Sequence, residues 1–269
     1  MISDSSHNKE LNTAPEEKYE KVHFNRIDST NEEAKRIFRE KPEDAPILLW
    51  ADEQTAGKGR NNREFYSPKN TGLYFSYMYP VKKPKEIKDR IFVTTAAAVF
   101  TAKALRQYAG ADAKIKWVND IYLNEKKVCG ILAEALFDEA YTAIIVGIGI
   151  NLTTAEFPDE IKETASGIGE FDEEKLKELK EQIITSVGNR LTGFFENCED
   201  AAYRKDIIGE YRALSMVIGR EVIFYKHDEE KKTGIATGIE EDGSLIVTFP
   251  DGSKERLASG EIHLCLTDM

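Results

Sequence analysis

Cysteine is scarce in this chain. Its 269 residues contain three cysteines, Cys129, Cys198 and Cys265, which lie far apart in the sequence. This scarcity excludes a disulfide framework and a close pair of thiolate metal ligands, and it favours the reducing cytoplasm as the location. The four histidines show no metal-binding spacing, and no Ser/His/Asp triad can be assembled around them.

Long apolar runs are also missing. No stretch approaches the roughly 20 consecutive apolar residues that a membrane-spanning helix needs, so no membrane partner is expected. The first residues, MISDSSHNKELNTAPEEKYE, do not show a basic segment followed by an apolar one, so they do not resemble a signal peptide. We expect residues 1–19 to form a disordered polar tail.

Positive charge is in deficit, with 37 Lys and Arg against 48 Asp and Glu and a net charge of −11. This balance disfavours a dedicated nucleic-acid binder, because neutralising phosphates requires concentrated Lys and Arg. No helix-turn-helix pattern precedes the first predicted strand, so no DNA partner is expected. The length of 269 residues, 41% of them hydrophobic, allows one large globular domain or one large domain with a small one.

Apolar periodicity predicts an α+β fold in which helices pack on a mixed β-sheet. The first helix should begin at Ser29 and Thr30, where two overlapping capping boxes pair Ser29 with Glu32 and Thr30 with Glu33, and end at Lys41-Pro42. Further helical patterns cover 87–105, 173–198 and 201–214. Strand patterns cover 22–27, 47–51, 72–79, 115–118, 121–123, 128–136 and 142–150.

The pattern changes after Gly219 to five short strands, with hairpin turns at Asp242-Gly243 and Asp251-Gly252. This change predicts a separate small β-barrel. We therefore divide the chain into the tail, a larger domain over 20–216 and a C-terminal domain over 217–269.

A loop after the second predicted strand combines glycine with cations. Gly57 and Gly59 alternate with Lys58 and Arg60, and Arg63 follows. Glycine allows the backbone to approach a ligand closely, so this loop suits an anionic phosphate ligand, although a solvated surface loop would have a similar composition. The loop does not fit the G-x-x-x-x-G-K-[ST] pattern of P-loops.

A second polar cluster lies between predicted strands, where Lys116, Asn119 and Asp120 precede Lys127. An aspartate among cations is a plausible contact for a magnesium-bound phosphate, because Mg²⁺ prefers one or two carboxylates together with phosphate oxygens. Ordinary turn chemistry is the alternative for Asn119-Asp120, and protection of an edge strand is the alternative for Lys127.

Glycines interrupt the last predicted strand of the larger domain, in the sequence GIGIN at 147–151. A dinucleotide fingerprint would need a third glycine at position 152, where Leu152 stands, so that interpretation is excluded. Two glycines in a buried strand instead indicate a close approach to the backbone, by a ligand or by a neighbouring part of the protein.

Five motifs in this order resemble the biotin protein ligases. They are DSTN at 28–31, QTAGKGR at 54–60, KWVND at 116–120, KVCGIL at 127–132 and GIGIN at 147–151. The resemblance covers about residues 20–266. It implies a biotinyl/lipoyl-ligase-like catalytic domain followed by an SH3-like β-barrel, in the monofunctional type that lacks an N-terminal DNA-binding domain.

The resemblance also implies an activity. The enzyme would use ATP and Mg²⁺ to convert biotin to biotinyl-5′-AMP, and would then transfer the biotinyl group to a lysine of a biotin carboxyl carrier domain of a carboxylase. It would act as a monomer or a homodimer. Two alternatives stay open: a lipoate or octanoate protein ligase, and a ligand-sensing module without catalysis.

Site residues follow from the same resemblance. Lys127 and Arg60 would be catalytic. Biotin would contact Ser29, Thr30, Asn31, Gln54, Lys58, Gly59, Arg60, Lys127 and Gly130. The nucleotide would contact Arg63, Lys116, Asn119, Asp120 and Asn151, and Asp120 would also hold the metal.

Three positions depart from the family pattern. Family members usually have arginine where Lys58 stands, and lysine cannot form a planar bidentate contact. Glycine is common at the position of Asn62, where asparagine tolerates left-handed backbone. Proline is usual at the position of Val118.

Overall fold

The part of the chain that the structure describes forms two β-sheets and four α-helices. The computed structural model describes residues 18–42, 45–82, 90–139, 141–154, 157–225, 231–258 and 260–264. Most of the predicted polar tail, residues 1–17, lies outside the described residues, as does Cys265.

The larger sheet has seven strands in the order β1-β2-β3-β7-β6-β5-β4. β1 and β2 run parallel, and every other neighbouring pair is antiparallel, so the predicted mixed sheet is confirmed. The strands are β1 (Glu20–Phe24), β2 (Ile47–Ala51), β3 (Gly72–Lys82), β4 (Lys114–Lys116), β5 (Asp120–Leu123), β6 (Lys126–Phe137) and β7 (Tyr141–Asn151).

Helices cover both faces of this sheet. The helices are α1 (Thr30–Glu40), α2 (Arg90–Tyr108), α3 (Glu173–Asn197) and α4 (Ala201–Leu214). Since successive strand residues point to opposite faces, β2 places Leu49 against α1 and Leu48 against the larger core formed with α2 and α3. No helix among the described residues is long and apolar enough to span a membrane.

The start of α1 differs from the predicted capping boxes. Ser29 is the N-cap residue, but its side chain makes no capping hydrogen bond. The two glutamates pair instead with cations one turn later, Glu32 with Lys35 and Glu33 with Arg36. Ion pairs at this spacing compete with the capping geometry, and they leave the Ser29 and Thr30 hydroxyls free to serve another purpose.

The smaller sheet is antiparallel, in the order β11-β10-β9-β8-β12. Its strands are β8 (Glu221–Tyr225), β9 (Lys231–Ile239), β10 (Leu245–Thr248), β11 (Lys254–Leu257) and β12 (Ile262–Leu264). The predicted barrel is not closed, because β11 and β12 are unpaired edges within the described residues. The short final strand forms three residue pairs with β8 and none with β11.

The two sheets share one continuous apolar core. Polar contacts reinforce the join: the Trp117 indole N–H donates to the carbonyl of Gly243 at 2.9 Å, and Arg212 Nε donates to the carbonyl of Ile239 at 2.7 Å. The C-terminal sheet is therefore held against α4 and against the turn that follows β4, next to the residues described below.

Candidate active site

The floor of the site is a row of small residues in the middle of the larger sheet. Ser76 of β3 lies opposite Gly147 of β7, and Gly149 lies opposite Gly130 of β6. A Cβ atom on Gly147 would lie 2.1 Å from Oδ1 of Asn31, and one on Gly149 would lie 2.5 Å from the Phe65 ring. The glycines are thus required by close approach of neighbouring side chains, which is one of the two alternatives left open by the sequence.

One wall is formed by buried, uncharged polar groups at the start of α1. Ser29, Thr30 and Asn31 are all buried. The side-chain carbonyl of Gln54 accepts hydrogen bonds from the backbone N–H of Thr30 at 2.8 Å and from its hydroxyl at 3.1 Å. The Gln54 amide group in turn donates to Ser67 at 3.0 Å, so its orientation is determined from both ends.

The Gly- and cation-rich loop folds back on itself above this floor. Gly59 N–H donates to the carbonyl of Arg63 at 2.8 Å, and Phe65 N–H donates to the carbonyl of Gly57 at 2.9 Å. The tip of the loop needs left-handed backbone, with φ of 56° at Asn61 and 58° at Asn62. Asparagine tolerates this conformation better than other side chains, so the loop forms without the glycine common in the family.

Together these parts enclose a narrow cleft. Six of the predicted biotin contacts line it, and the other lining residues come from the sheet floor and the end of the loop. The lining consists of Ser29, Thr30, Asn31, Gln54, Lys58, Phe65, Phe75, Gly130, Gly147, Ile148 and Gly149. Lys58 is exposed and is the one charged residue of this lining. The cleft therefore suits a ligand part that is neutral and rich in hydrogen-bonding groups.

Charged residues gather beside the cleft, at the turn between β4 and β5. Lys127 and Asp120 form an ion pair with 2.7 Å between Nζ and Oδ1. Arg60 of the loop donates to the Asn119 side-chain carbonyl at 2.9 Å, while the Asn119 amide group donates to the carbonyl of Ile131 at 3.0 Å. The side chain of Lys127 also lies over Gly130, so the charged cluster adjoins the cleft.

The C-terminal sheet completes the cluster. Both terminal nitrogens of Arg63 donate to the Glu261 carboxylate at 2.8 Å, and Arg60 donates to the carbonyl of Gly260 at 3.0 Å. The Arg63 hydrogen bonds lower the pKa of Glu261, and the same contact raises the pKa of Arg63. Burial lowers the pKa of Lys116, which lies within electrostatic range of Asp120 and Glu261.

Asn151, a predicted nucleotide contact, is the last residue of β7. It is buried, pairs with Gly72 across the sheet and follows Gly149 on the same face. Gly59 does not line the cleft. Its N–H is used within the loop, in the turn that carries Arg60.

The carboxylate of Asp120 has the chemistry of a magnesium ligand. Its Oδ1 is buried without a hydrogen bond, and Lys127 is its ion-pair partner. No cluster of three or more potential metal-ligating side chains occurs among the described residues. A single carboxylate fits Mg²⁺ when phosphate oxygens supply other ligands, and it does not fit a metal held by protein alone.

Seven residues of the site could not be picked out from the sequence: Phe65, Ser67, Phe75, Ser76, Glu134, Ile148 and Glu261. One of them left a signal, because Glu134 is a lone charge within the otherwise apolar stretch Val128–Leu136 of β6. The others stand in ordinary strand or loop sequence. Their roles depend on contacts with distant parts of the chain, which local patterns do not report.

Two family models match the chain. Residues 23–151 match the Biotin/lipoate A/B protein ligase family, and residues 217–264 match the Biotin protein ligase C terminal domain. The first match defines the class, a ligase of the biotin and lipoate type, and agrees with the fold and the cleft. The second is particular to one branch, so the chain combines the two kinds of domain that mark the biotin protein ligases.

Similar proteins agree with this assignment. A biotin--[acetyl-CoA-carboxylase] ligase from Paracoccus denitrificans is 29% identical over 84% of this chain and 93% of its own length. The bifunctional ligase/repressor BirA of Bacillus spizizenii is 27% identical over 88% of this chain and 72% of its own length. The biotin protein ligase from Aquifex aeolicus in complex with biotin and ATP superimposes with a TM-score of 0.73 at 29% identity, covering 91% of this chain and 98% of that one.

Proposed function

We propose that the chain uses ATP to activate biotin as biotinyl-5′-AMP and transfers the biotinyl group to a lysine of a carrier domain of a biotin-dependent carboxylase. The observation that carries this proposal is the junction of two unlike environments. A cleft lined almost entirely by uncharged groups opens beside a cluster of four cations, Lys116, Lys127, Arg60 and Arg63.

The cleft suits the bicyclic ring of biotin. A ureido group is neutral and planar and carries two N–H donors and one carbonyl acceptor, which the Ser29 and Thr30 hydroxyls and the Asn31 and Gln54 amides can match. The Phe65 ring supplies an apolar surface for the rest of the molecule. In this proposal Lys58, Gly59, Arg60, Gly130 and Lys127 contact the acyl chain and carboxylate.

The first step joins two anions. A carboxylate oxygen of biotin attacks the α-phosphorus of ATP, the bond from that phosphorus to the bridging oxygen breaks, and pyrophosphate leaves. Lys127 and Arg60 offset the repulsion between the carboxylate and the phosphate and stabilise the charge that develops. Arg63, Lys116, Asn119, Asp120 and Asn151 hold the nucleotide. When bound, Mg²⁺ would neutralise phosphate charge, with Asp120 as its protein ligand.

The second step transfers the acyl group. The neutral amine of the carrier lysine attacks the acyl carbon, the bond from that carbon to the phosphate oxygen breaks, AMP leaves, and the new amide nitrogen loses a proton. The mixed anhydride must be kept from water until the carrier arrives. The loop over 57–65 covers the cleft, and Arg60→Ala should shorten the time for which the adenylate is retained.

The division of the chain follows from these roles. In this proposal residues 20–216 are the catalytic domain, residues 217–269 hold the loop in place from the C-terminal side, and the protein works in the cytoplasm without DNA.

The test is mass spectrometry of the purified chain incubated with ATP, Mg²⁺ and biotin, with lipoate and octanoate in parallel reactions. Biotinyl-AMP in the first reaction alone is expected. An adenylate formed only with lipoate or only with octanoate would make that acid the substrate in place of biotin. No adenylate in any reaction would leave a ligand-sensing role. Transfer is then tested with a biotin carboxyl carrier domain and its lysine-to-arginine variant, which should remain unmodified.

A further inference from the structure

Behind the polar wall of the cleft lies a charged group that does not line it. Glu134 of β6 accepts a hydrogen bond on Oε2 from Nδ2 of Asn31 at 2.8 Å, and on Oε1 from Nζ of Lys35 at 2.8 Å. The Lys35 side chain is 16% exposed and also contacts Glu32 at 2.9 Å. The Glu134 side chain is itself 30% exposed, and these two partners hold both of its oxygens in place.

The charge of Glu134 determines which way the Asn31 amide faces. An ionised carboxylate only accepts hydrogen bonds, so the NH₂ group of Asn31 must point to it and the side-chain carbonyl must point the other way. That carbonyl oxygen lies 2.5 Å from the hydroxyl of Ser76, which is fully buried. Because an amide oxygen has no proton, Ser76 must donate its single hydrogen to Asn31.

The same polarity then reaches Thr30. The hydroxyl oxygens of Ser76 and Thr30 are 2.7 Å apart, but the Ser76 hydrogen is already committed to Asn31. Thr30 therefore donates its own hydrogen, either to Ser76 or to the Gln54 carbonyl oxygen at 3.1 Å. Both lone pairs of the Thr30 hydroxyl stay available, and it faces the cleft as an acceptor for a ligand N–H.

We infer that Glu134 is a positioning residue for biotin: through Asn31 and Ser76 it makes Thr30 an acceptor for a ureido N–H. This inference rests on the proposed function. It assigns a part in substrate recognition to an ion pair that does not touch the substrate. If the Asn31 amide were turned over, Ser76 would donate to Thr30 and occupy one of its lone pairs. The Thr30 hydroxyl would then have one lone pair fewer with which to accept the ureido N–H.

The test compares Glu134→Gln with Glu32→Gln. Glutamine at 134 keeps the size of the side chain but offers both a donor and an acceptor, so Asn31 is no longer oriented. Glu32→Gln removes the other carboxylate held by Lys35 and leaves the contact to Asn31 intact, which makes it the matched control. For each protein we would measure the biotin Kd by calorimetry without ATP, the KM values for biotin and ATP, kcat, and the melting temperature.

We expect Glu134→Gln to raise the Kd and KM for biotin about tenfold, with kcat and the KM for ATP within about twofold of the parent chain. Glu32→Gln should match the parent in biotin binding. Equal losses of biotin affinity in both variants would overturn the inference, because they would trace to Lys35. A Glu134→Gln protein that binds biotin like the parent, or that loses kcat alone, would also overturn it.

A second variant keeps the test decisive if Glu134→Gln does not fold. Ser76→Ala interrupts the same chain of hydrogen bonds without changing charge and should also weaken biotin binding. Where both single variants fold, the two losses in the double variant should be smaller than additive, since both interrupt one chain of hydrogen bonds. Full additivity would contradict the inference. Failure of the parent chain to bind biotin would instead refute the proposed function.

Discussion

Replacing Gly147 by alanine should damage the cleft from beneath. The new Cβ atom would lie 2.1 Å from Oδ1 of Asn31, whereas ordinary van der Waals contacts begin at 3.4 Å. Since neither the strand backbone nor the first turn of α1 can move freely in a close-packed interior, the Asn31 side chain must retreat by about 1 Å. A retreat of that size breaks the hydrogen bonds that hold it.

The cost can be worked from those bonds. Asn31 is buried, bonded to Ser76 at 2.5 Å and to the charged Glu134 at 2.8 Å. A neutral hydrogen bond contributes about 0.5–1.5 kcal/mol and one to a charged group about 1.5–3 kcal/mol, so losing both costs about 2–4.5 kcal/mol. Replacing a strand glycine returns about 0.5–1 kcal/mol of backbone entropy. The net loss of unfolding free energy should be about 1–4 kcal/mol, with biotin affinity reduced more than about tenfold.

Urea denaturation and calorimetric titration with biotin measure the two effects. The control is Gly238→Ala, since Gly238 also lies within a strand, β9, but a Cβ atom there would meet nothing within 4 Å. This variant should be at least as stable as the parent and bind biotin normally. The reasoning is refuted if Gly147→Ala matches Gly238→Ala in unfolding free energy and biotin affinity.

Three further outcomes are expected. Lys127→Ala should nearly abolish adenylate formation in single-turnover experiments, and a parental rate would remove Lys127 from the catalytic step. Arg63 lowers the pKa of Glu261 below the ordinary value of about 4.3, so this contact stabilises the fold above that pH and the contribution is lost as the pH falls through the lowered pKa. The difference in unfolding free energy between the parent and Glu261→Gln should therefore shrink on acidification, and a difference that is constant from pH 7 to pH 3 would contradict this. Burial raises the pKa of the Cys129 thiol, so in peptide mapping after iodoacetamide treatment of the folded protein Cys198 should react much faster than Cys129, and equal rates would contradict the placement.

The elements that could be predicted from sequence are those determined by local periodicity. Helix α4 has the predicted bounds, and α3 ends one residue before the predicted one, because both carry a regular apolar stripe and an aspartate N-cap. The strands of the larger sheet were found for the same reason. The capping boxes at Ser29 failed because the pattern matches a spacing and does not report that Lys35 and Arg36 compete for the same glutamates.

The site was predictable where its residues stand in motifs. Six predicted contacts meet in one cleft although they come from α1, two loops and β6. Closure of the barrel was not predictable in this way, because a barrel depends on pairing between the first and last strands of a sheet, and five alternating segments are equally consistent with an open sheet. Glu134 was missed because its partners are about a hundred residues away in the chain.

The contacts of the loop with Gly260 and Glu261 have a consequence for experiments on this protein. The loop over 57–65 is hydrogen-bonded to Gly260 and Glu261, which directly precede β12 and lie about two hundred residues later in the chain. Under the proposed function, tags, fusions or truncations at the C-terminal end would therefore alter the loop over 57–65 that lies over the cleft. A shortened chain that lost adenylate would not by itself reveal a catalytic group in the removed part, since loosening this loop would expose the anhydride to water and produce the same result.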